Sequence, residues 1–312
     1  MLGCASLGGL FAPVSDGDAR RTLDAAWLGG VRAFDTAPHY GVGLSEERLG
    51  RFLAELPTDD VTVSSKVGRI LVETDDDVEG VDGFFGTPRR TRVRDDSREG
   101  VRRSVSDTLA RLGRSRLDVA LVHDPEGHEP QVLDEAYPAL EELRSEGLVG
   151  AIGIGTKVAD VATWFVERAD LDCVMIAGSC SLLGDDAAEA LFPECSRRGV
   201  SVIVAGVYKS GVLADPRPGA HVDYEAAPPD LLEKVTRIRT VCERHGVPLP
   251  AAALQFVLRH DVVSAVVVGA ANAREAADNL EFFDVDVPDE LFDELAYLDL
   301  APAPPGRRDR AL

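Results

Sequence analysis

The sequence predicts a (β/α)8 barrel, and three observations lead there. Eight short apolar runs alternate with helix-period segments along the 312 residues. The runs are continuously apolar rather than alternating, as strands covered on both faces are. The length also exceeds the roughly 250 residues such a barrel needs, leaving room for loops and extra helices. A doubly wound open sheet is the competing arrangement, but it asks for a glycine-rich turn after its first strand. The nearest candidate, Gly153-x-Gly155, lies mid-chain and lacks a third glycine.

The first strand is expected at the very N-terminus, and seven more over 33–35, 61–65, 119–123, 151–155, 174–177, 200–205 and 265–269. Helix-period patterns fall over 16–29, 45–56, 97–112, 132–147, 158–169, 186–198, 229–245 and 274–283. Ser15 or Asp16, Ser45 with Glu47 behind it, Ser97 and Asp185 read as helix caps. Gly29, Gly113, Gly147, Gly199 and Gly246 read as stops. Two stretches break the rhythm: a charged loop over 68–96 after the third strand, and a Gly/Pro-rich loop over 206–228 after the seventh. Both follow strand ends on the side where barrel active sites lie. VPLPAAALQFVLRH and VPDELFDELAYL read as further C-terminal helices packed outside or across the barrel. The chain, 1–312, is therefore expected to be a single barrel domain.

Hydrophobic residues make up 45% of the chain, enough for a substantial core. With 33 basic against 54 acidic residues the net charge is −21, which repels nucleic acid and anionic membranes and suits a small substrate. That charge speaks of solubility rather than fold. No apolar stretch nears the roughly 20 residues of a membrane span, and MLGCASLGGL has no basic leader. The five cysteines, Cys4, Cys173, Cys180, Cys195 and Cys242, are scattered without a C-x-x-C pair, as in a reducing cytoplasm. A cytoplasmic protein is expected, as a monomer or small homo-oligomer.

The strand ends carry the chemistry. The second strand ends at Asp35, the third (VTVSSK) at Lys66 and the fourth (LDVALVH) at His123, and Tyr40 stands in the loop after the second. Taken singly, these are a cap, a surface lysine and a core histidine. Placed on three consecutive strand ends they converge on one barrel mouth. A carboxylate beside a buried lysine keeps it charged, and the ammonium favours the phenolate of a neighbouring tyrosine, whose ordinary pKa is about 10. Such a phenol exchanges a proton with a carbinol oxygen, and His123 can orient that oxygen. The set moves a proton, and the matching hydride requires a nicotinamide cofactor. No metal is expected: His123, Glu126 and His128 in HDPEGH lack the tight histidine pairs of metal barrels. Cys173 and Cys180 read as core and pocket lining. Phe84, Phe85 and the arginines of 89–94 either cover a substrate or pack the loop down.

FDTAPHYGVGLSEERLG, SSKVGR, LVHDPE and VVGAANAREAADN together resemble the aldo-keto reductase superfamily over nearly the whole chain. The resemblance implies Tyr40 as general acid/base, Lys66 and Asp35 as its tuning pair, and His123 as the group orienting the carbonyl. It implies NAD(P) lying across the mouth of the barrel. ASLGGLFAPVSD, KVGRIL, DDSREGVRRSVSDTLARLG and VYKSGVLA are similar to the branch of sugar 1-dehydrogenases for L-fucose and D-threo-aldoses, with pyridoxal 4-dehydrogenase nearby. These oxidise a cyclic hemiacetal to a lactone, and His39 and Phe84 would join Tyr40 and His123 against the substrate.

The family's cofactor contacts map onto Ser210, Gly211 and Leu213, and onto Gly269, Ala270, Ala271, Glu275 and Asn279, with Asp35 nearby. Relatives using NADP tend to carry a basic residue in place of Ala271 and Arg or Gln in place of Glu275, which favours NAD over NADP, with Arg274 a neighbouring counterweight. Gly155-Thr156 replaces a common Ser-Asn, Ala177-Gly178-Ser179-Cys180 replaces a region with a carboxamide-gripping glutamine, and Ala205 takes the slot of a stacking aromatic that Tyr208 could fill. The expected function is oxidation of an aldose at its anomeric carbon. The rivals are a general aldehyde or ketone reductase using NADPH, a non-catalytic nucleotide-sensing barrel, and a metal-dependent hydrolase.

Overall fold

Strands that are apolar on both faces need cover on both, and the chain supplies it by closing them into a ring inside a layer of helices. The computed structural model describes residues 1–57, 60–222 and 225–303. Its strands are β1 (Leu2–Gly3), β2 (Ala33–Asp35), β3 (Thr62–Val67), β4 (Leu117–His123), β5 (Val149–Thr156), β6 (Cys173–Ala177), β7 (Ser201–Ala205) and β8 (Val263–Gly269). Each pairs in parallel with its neighbours in chain order, and β1 closes the ring by pairing with both β2 and β8. The expected barrel is the observed one. Leu121, Cys173, Met175, Ile203 and Val267 fill the interior, while the larger core lies between strands and helices.

The helices around the ring are α1 (Asp16–Leu28), α2 (Leu44–Leu53), α3 (Arg98–Leu112), α4 (Tyr137–Ser145), α5 (Ala159–Arg168), α6 (Leu191–Arg198), α7 (Pro229–Arg244), α8 (Leu249–Val257), α9 (Ala273–Asp284) and α10 (Asp289–Tyr297). Among the described residues no helix is long and apolar enough to cross a membrane. Ser15 and Ser97 cap as expected, accepting from the amides of Asp18 and Gly100. Ser45 does not: it lies inside α2, fully buried, and its hydroxyl donates to Cys4 O (2.7 Å) and meets Thr36 Oγ1 (2.9 Å). Asp185 precedes the short helix Asp186–Glu189 without capping it. Gly113, Gly147, Gly199 and Gly246 stop their helices with positive φ, whereas Gly29 has φ −78° and leaves that conformation to Gly30. The helix expected from 132 opens as a wide turn over Val132–Ala136 and becomes α-helical from Tyr137. Pro138 cannot donate to the preceding turn, which accounts for the widening.

The stretch 68–96 is not an open loop. It holds an antiparallel hairpin, Arg69–Glu73 against Arg90–Arg94, in register from Arg69↔Arg94 to Glu73↔Arg90. In RTRVR the arginine stems do the covering that apolar residues usually do, so the strand period is hidden among charges. Within 206–228 a tight turn leads to the short pair His221–Val222 and Glu225–Ala226, and residues 223–224, like 304–312, lie outside the described residues.

Candidate active site

The ends of β2, β3 and β4 bring the predicted residues together. Asp35 and Lys66 are 2% and 3% exposed. Lys66 Nζ donates to Asp35 Oδ1 (3.0 Å), Asp35 Oδ2 (2.8 Å) and Thr36 O (2.9 Å). It also shares a hydrogen bond with the Tyr40 phenol and lies 4.9 Å from that ring's centre. Burial pulls the ammonium toward a lower pKa, but the Asp35 carboxylate and the Tyr40 contact outweigh it and push the lysine above its ordinary value. Lys66 is therefore a permanent cation inside the barrel mouth.

Tyr40 is aimed by backbone geometry. Its turn returns through Tyr40 N–H to Ala37 O (3.0 Å) and Ser45 N–H to Tyr40 O (3.3 Å). Gly41 has φ +59°, and a Cβ there would lie 2.3 Å from Gly8 O, so only glycine lets this turn press on the segment after β1. His39, Phe84 and His123 surround the phenol: the Tyr40 ring lies 6.2 Å from Phe84 and 6.1 Å from His123, and His39 is 5.5 Å from both. Phe84 is 3% exposed and packs inward against the rings of His39 and Tyr40.

Both histidines are neutral. Burial, then the charges of Arg92, Arg69, Lys66 and Lys157, lowers His39 to about 3. Burial, then Lys66, His39, Arg69 and Arg94, holds His123 well below its ordinary value. The Nδ1 atoms of both are buried without a hydrogen-bond partner, so the pocket carries polar nitrogens that the protein itself does not satisfy.

The hairpin is fastened over this pocket by guanidinium groups. Arg92 donates to His39 O through Nε (3.2 Å) and Nη2 (2.8 Å) and pairs with Asp82 (2.9 Å). Arg69 reaches Asp124 Oδ2 (3.0 Å), Arg94 reaches Asp124 O (2.8 Å) and Asp96 (2.6 Å), and Arg90 reaches Glu47 (2.6 Å) and Glu73 (3.0 Å). Within HDPEGH, Asp124 Oδ2 lies 3.6 Å from His123 Nε2, whereas His128 is exposed and Glu126 accepts a hydrogen bond from Thr156.

Sequence reasoning missed Ser64, whose hydroxyl donates to Asp35 Oδ1 at 2.6 Å. Its signal is there in retrospect: parallel pairing sets Ser64 directly against Asp35. It also missed the polar support beneath β3, where fully buried Glu46 accepts from Ser65 (2.8 Å), Thr108 (2.9 Å) and Arg111 (2.6 Å).

The second predicted group lies at β8, α9 and the turn after β7. Asn279 Nδ2 donates to Gly269 O (3.1 Å), and the Tyr208 hydroxyl donates to Asn279 Oδ1 (3.1 Å), joining that turn to α9. Asn272 accepts from Glu275 N–H (3.0 Å), while the Glu275 carboxylate accepts from Ala271 N–H (2.8 Å) and Asn272 Nδ2 (2.8 Å). This is a reciprocal cap on α9. Ala270 is buried behind it. In the turn after β7, the amides of Gly211 (3.0 Å) and Leu213 (3.1 Å) both donate to Tyr208 O, and the Leu213 side chain is buried. Those amides are spent within the turn.

The aldo/keto reductase family profile matches residues 1–299. The chain belongs to the aldo/keto reductase family. It is 41% identical to a D-threo-aldose 1-dehydrogenase of Pseudomonas sp, over 97% of this chain and 94% of that protein. It is 36% identical to a pyridoxal 4-dehydrogenase of Microbacterium luteolum, over 94% of this chain and 92% of the other. Among solved structures, the holo form of a Bacillus halodurans aldo-keto reductase superposes with a TM-score of 0.76 at 26% identity, covering 99% and 94% of the two chains. This member of the family is thus an oxidoreductase of the nicotinamide-dependent aldo-keto reductase type.

Proposed function

We propose that this reductase-family barrel oxidises an aldose at its anomeric carbon, converting a cyclic hemiacetal to a lactone, with NAD preferred over NADP. The observation that carries the reading is the Lys66 ammonium held between Asp35 and Tyr40 beneath a pocket walled by His39, Phe84 and His123. The likeness to a D-threo-aldose 1-dehydrogenase over almost the whole chain supports the substrate class.

The chain's own residues divide the work as follows. Tyr40, as phenolate, takes the proton of the anomeric hydroxyl as the C1–O bond gains double-bond character. Lys66 stabilises that phenolate, and Asp35 keeps Lys66 charged where burial would otherwise deprotonate it. Neutral His123 retains one N–H donor to hold the substrate oxygen and brings no competing acidic proton. His39 and Phe84 supply the remaining wall and exclude water from it. When bound, the nicotinamide supplies the hydride acceptor that no side chain can provide.

The residues present fit a dinucleotide. An added Cβ at Gly211 would meet nothing within 4 Å, so the turn beside Ser210 borders open space. Glu275 and Asn279 present oxygens suited to ribose hydroxyls. The Glu275 carboxylate already occupies the N-terminal end of α9, where a 2′-phosphate would seek the same amide and meet a like charge. That occupancy supports NAD.

The test is a screen of aldoses and pyridoxal for NAD reduction with direct detection of the lactone. Turnover of an aldose with lactone formation, lost in Tyr40→Phe, is the expected result. Aldehyde reduction with NADPH and no aldose oxidation would hand the reading to the general reductase.

A further inference from the structure

Outside the pocket, three metal-ligating side chains converge from distant parts of the chain. Cys180 lies three residues past β6, Asp185 five residues further, and His260 in the turn between α8 and β8. Cys180 is fully buried, His260 is 7% exposed and the Asp185 side chain is 7% exposed. Their ligand atoms all lie within 4.8 Å of one another, with His260 Nε2 2.9 Å from Asp185 Oδ2. The aromatic rings of Phe192 (4.9 Å) and Phe256 (6.0 Å) hold the imidazole in place.

The protein satisfies this cluster only in part: the Cys180 thiol hydrogen-bonds the Asp185 carboxylate, and two atoms are left over. Asp185 Oδ1 and His260 Nε2 are buried without a well-formed hydrogen bond. Although His260 Nε2 and Asp185 Oδ2 are close, their alignment is not that of a hydrogen bond, so the two groups are brought together without being saturated. Asp185 stands at the entrance of a helix that it does not cap, its carboxylate turned instead toward Cys180 and His260.

We propose that Cys180 Sγ, the Asp185 carboxylate and His260 Nε2 form a site for a thiophilic divalent cation, zinc, with water as fourth ligand. The donor set argues for the ion. Sulfur with imidazole nitrogen and one carboxylate oxygen matches zinc, whereas magnesium and calcium take oxygen-rich shells. Charge balances as well: on binding, the Cys180 thiol releases its proton to solvent, and thiolate plus carboxylate neutralise the dication. The role is structural, because its residues come from the loop after β6 and the turn before β8 and none of them belongs to the Asp35–Tyr40–Lys66–His123 group. It ties the loop after β6 to the entrance of β8. That loop also bears on the cofactor side of the mouth, since Gly178 O accepts from Lys209 Nζ (3.0 Å) and the Ser179 hydroxyl donates to Lys157 O (2.5 Å). Residues 180, 185 and 260 are too far apart in sequence for any motif to announce them.

Cobalt(II) titration of the chelator-treated full-length protein tests the site. One equivalent is expected to bind with a sulfur-to-cobalt charge-transfer band in the near ultraviolet, displaced by zinc. Cys180→Ser should abolish that band, and Asp185→Asn and His260→Gln should each weaken binding at least about tenfold. Zinc should raise the melting temperature of the wild-type protein and leave that of Cys180→Ser unchanged. The other four cysteines are also buried and free, so a band that survives Cys180→Ser overturns the assignment. Should the variants fail to fold, X-ray absorption of the zinc-loaded wild type decides: one sulfur among nitrogen and oxygen scatterers is expected, and a shell without sulfur refutes the site.

Discussion

At the ends of β2 and β3 the paired charges are matched inside the protein, whereas at the start of α9 the polar groups are matched at the surface. Lys66 and Asp35 are almost wholly buried and bind each other, Ser64 and the backbone. Glu275 and Asn272 bind each other in the open, on the first turn of a helix. The first arrangement has no alternative partner in water, so its geometry and protonation are set by the fold. The second can exchange its partners for a ligand at little cost, which suits a surface that must let a nucleotide on and off. The two regions should therefore respond very differently to substitution.

The largest effects belong to the buried cluster. Tyr40→Phe should lower kcat by about 10²–10⁴-fold in steady-state assays, the contribution of general acid–base transfer, with an unchanged circular dichroism spectrum. Lys66→Met should lose comparable activity and also strand Asp35, destabilising the fold by about 3–5 kcal/mol in urea titration. Adding Asp35→Asn to it should restore much of that stability and none of the activity. Retention of activity by Lys66→Met would collapse the contrast between the regions.

Ser64→Ala comes next. Losing a hydrogen bond to a buried carboxylate should cost about 1.5–3 kcal/mol in stability. It should also move the pH–rate profile, because Asp35 would hold Lys66 less firmly. A stability loss with an unmoved profile would reduce Ser64 to a packing role.

Acid reads the same pocket through its histidines. His39, lowered to about 3, and His123, lowered well below its ordinary value, are neutral in the fold but protonate near about 6.5 when unfolded. Below that pH the unfolded chain binds protons that the fold refuses. Stability should thus be full above about 6.5 and fall by roughly 1.4 kcal/mol per pH unit per histidine as the pH drops toward the folded values. His39→Gln should flatten that fall in denaturation curves between about pH 6 and 4, and an unchanged slope would count against the neutral pocket.

The surface region should give the smallest effects. Glu275→Arg should tighten NADP binding by about tenfold while costing no more than roughly 1 kcal/mol for the lost cap, both measurable by titration and melting. No gain for NADP would remove the argument for NAD.

The division also explains what the sequence could tell. Asp35, Lys66 and His123 were legible because a barrel places strand ends on one rim and because SSKVGR and LVHDPE carry a family pattern. Ser64, the hairpin and the Glu275 cap were not. Ser64 acts across a strand pairing whose register only the folded ring defines. The hairpin hides its period in arginines, and Ser45 looks like a cap while serving as a buried bridge to Cys4 and Thr36. Local pattern reports burial and turns; it does not report which distant partner a polar side chain will meet.

The fastening of the hairpin has one more consequence. Arg90, Arg92 and Arg94 grip Glu47, His39 O and Asp124 O along one edge of the pocket, and several of these contacts are partly open to solvent. Mobile ions compete with such pairs, since the screening length shrinks from about 10 Å at 0.1 M salt to about 3 Å at 1 M. Rising ionic strength should loosen the wall that carries Phe84 while leaving the dry Lys66–Asp35 contact untouched. Brine, in effect, would soften the grip on substrate before it slowed the proton.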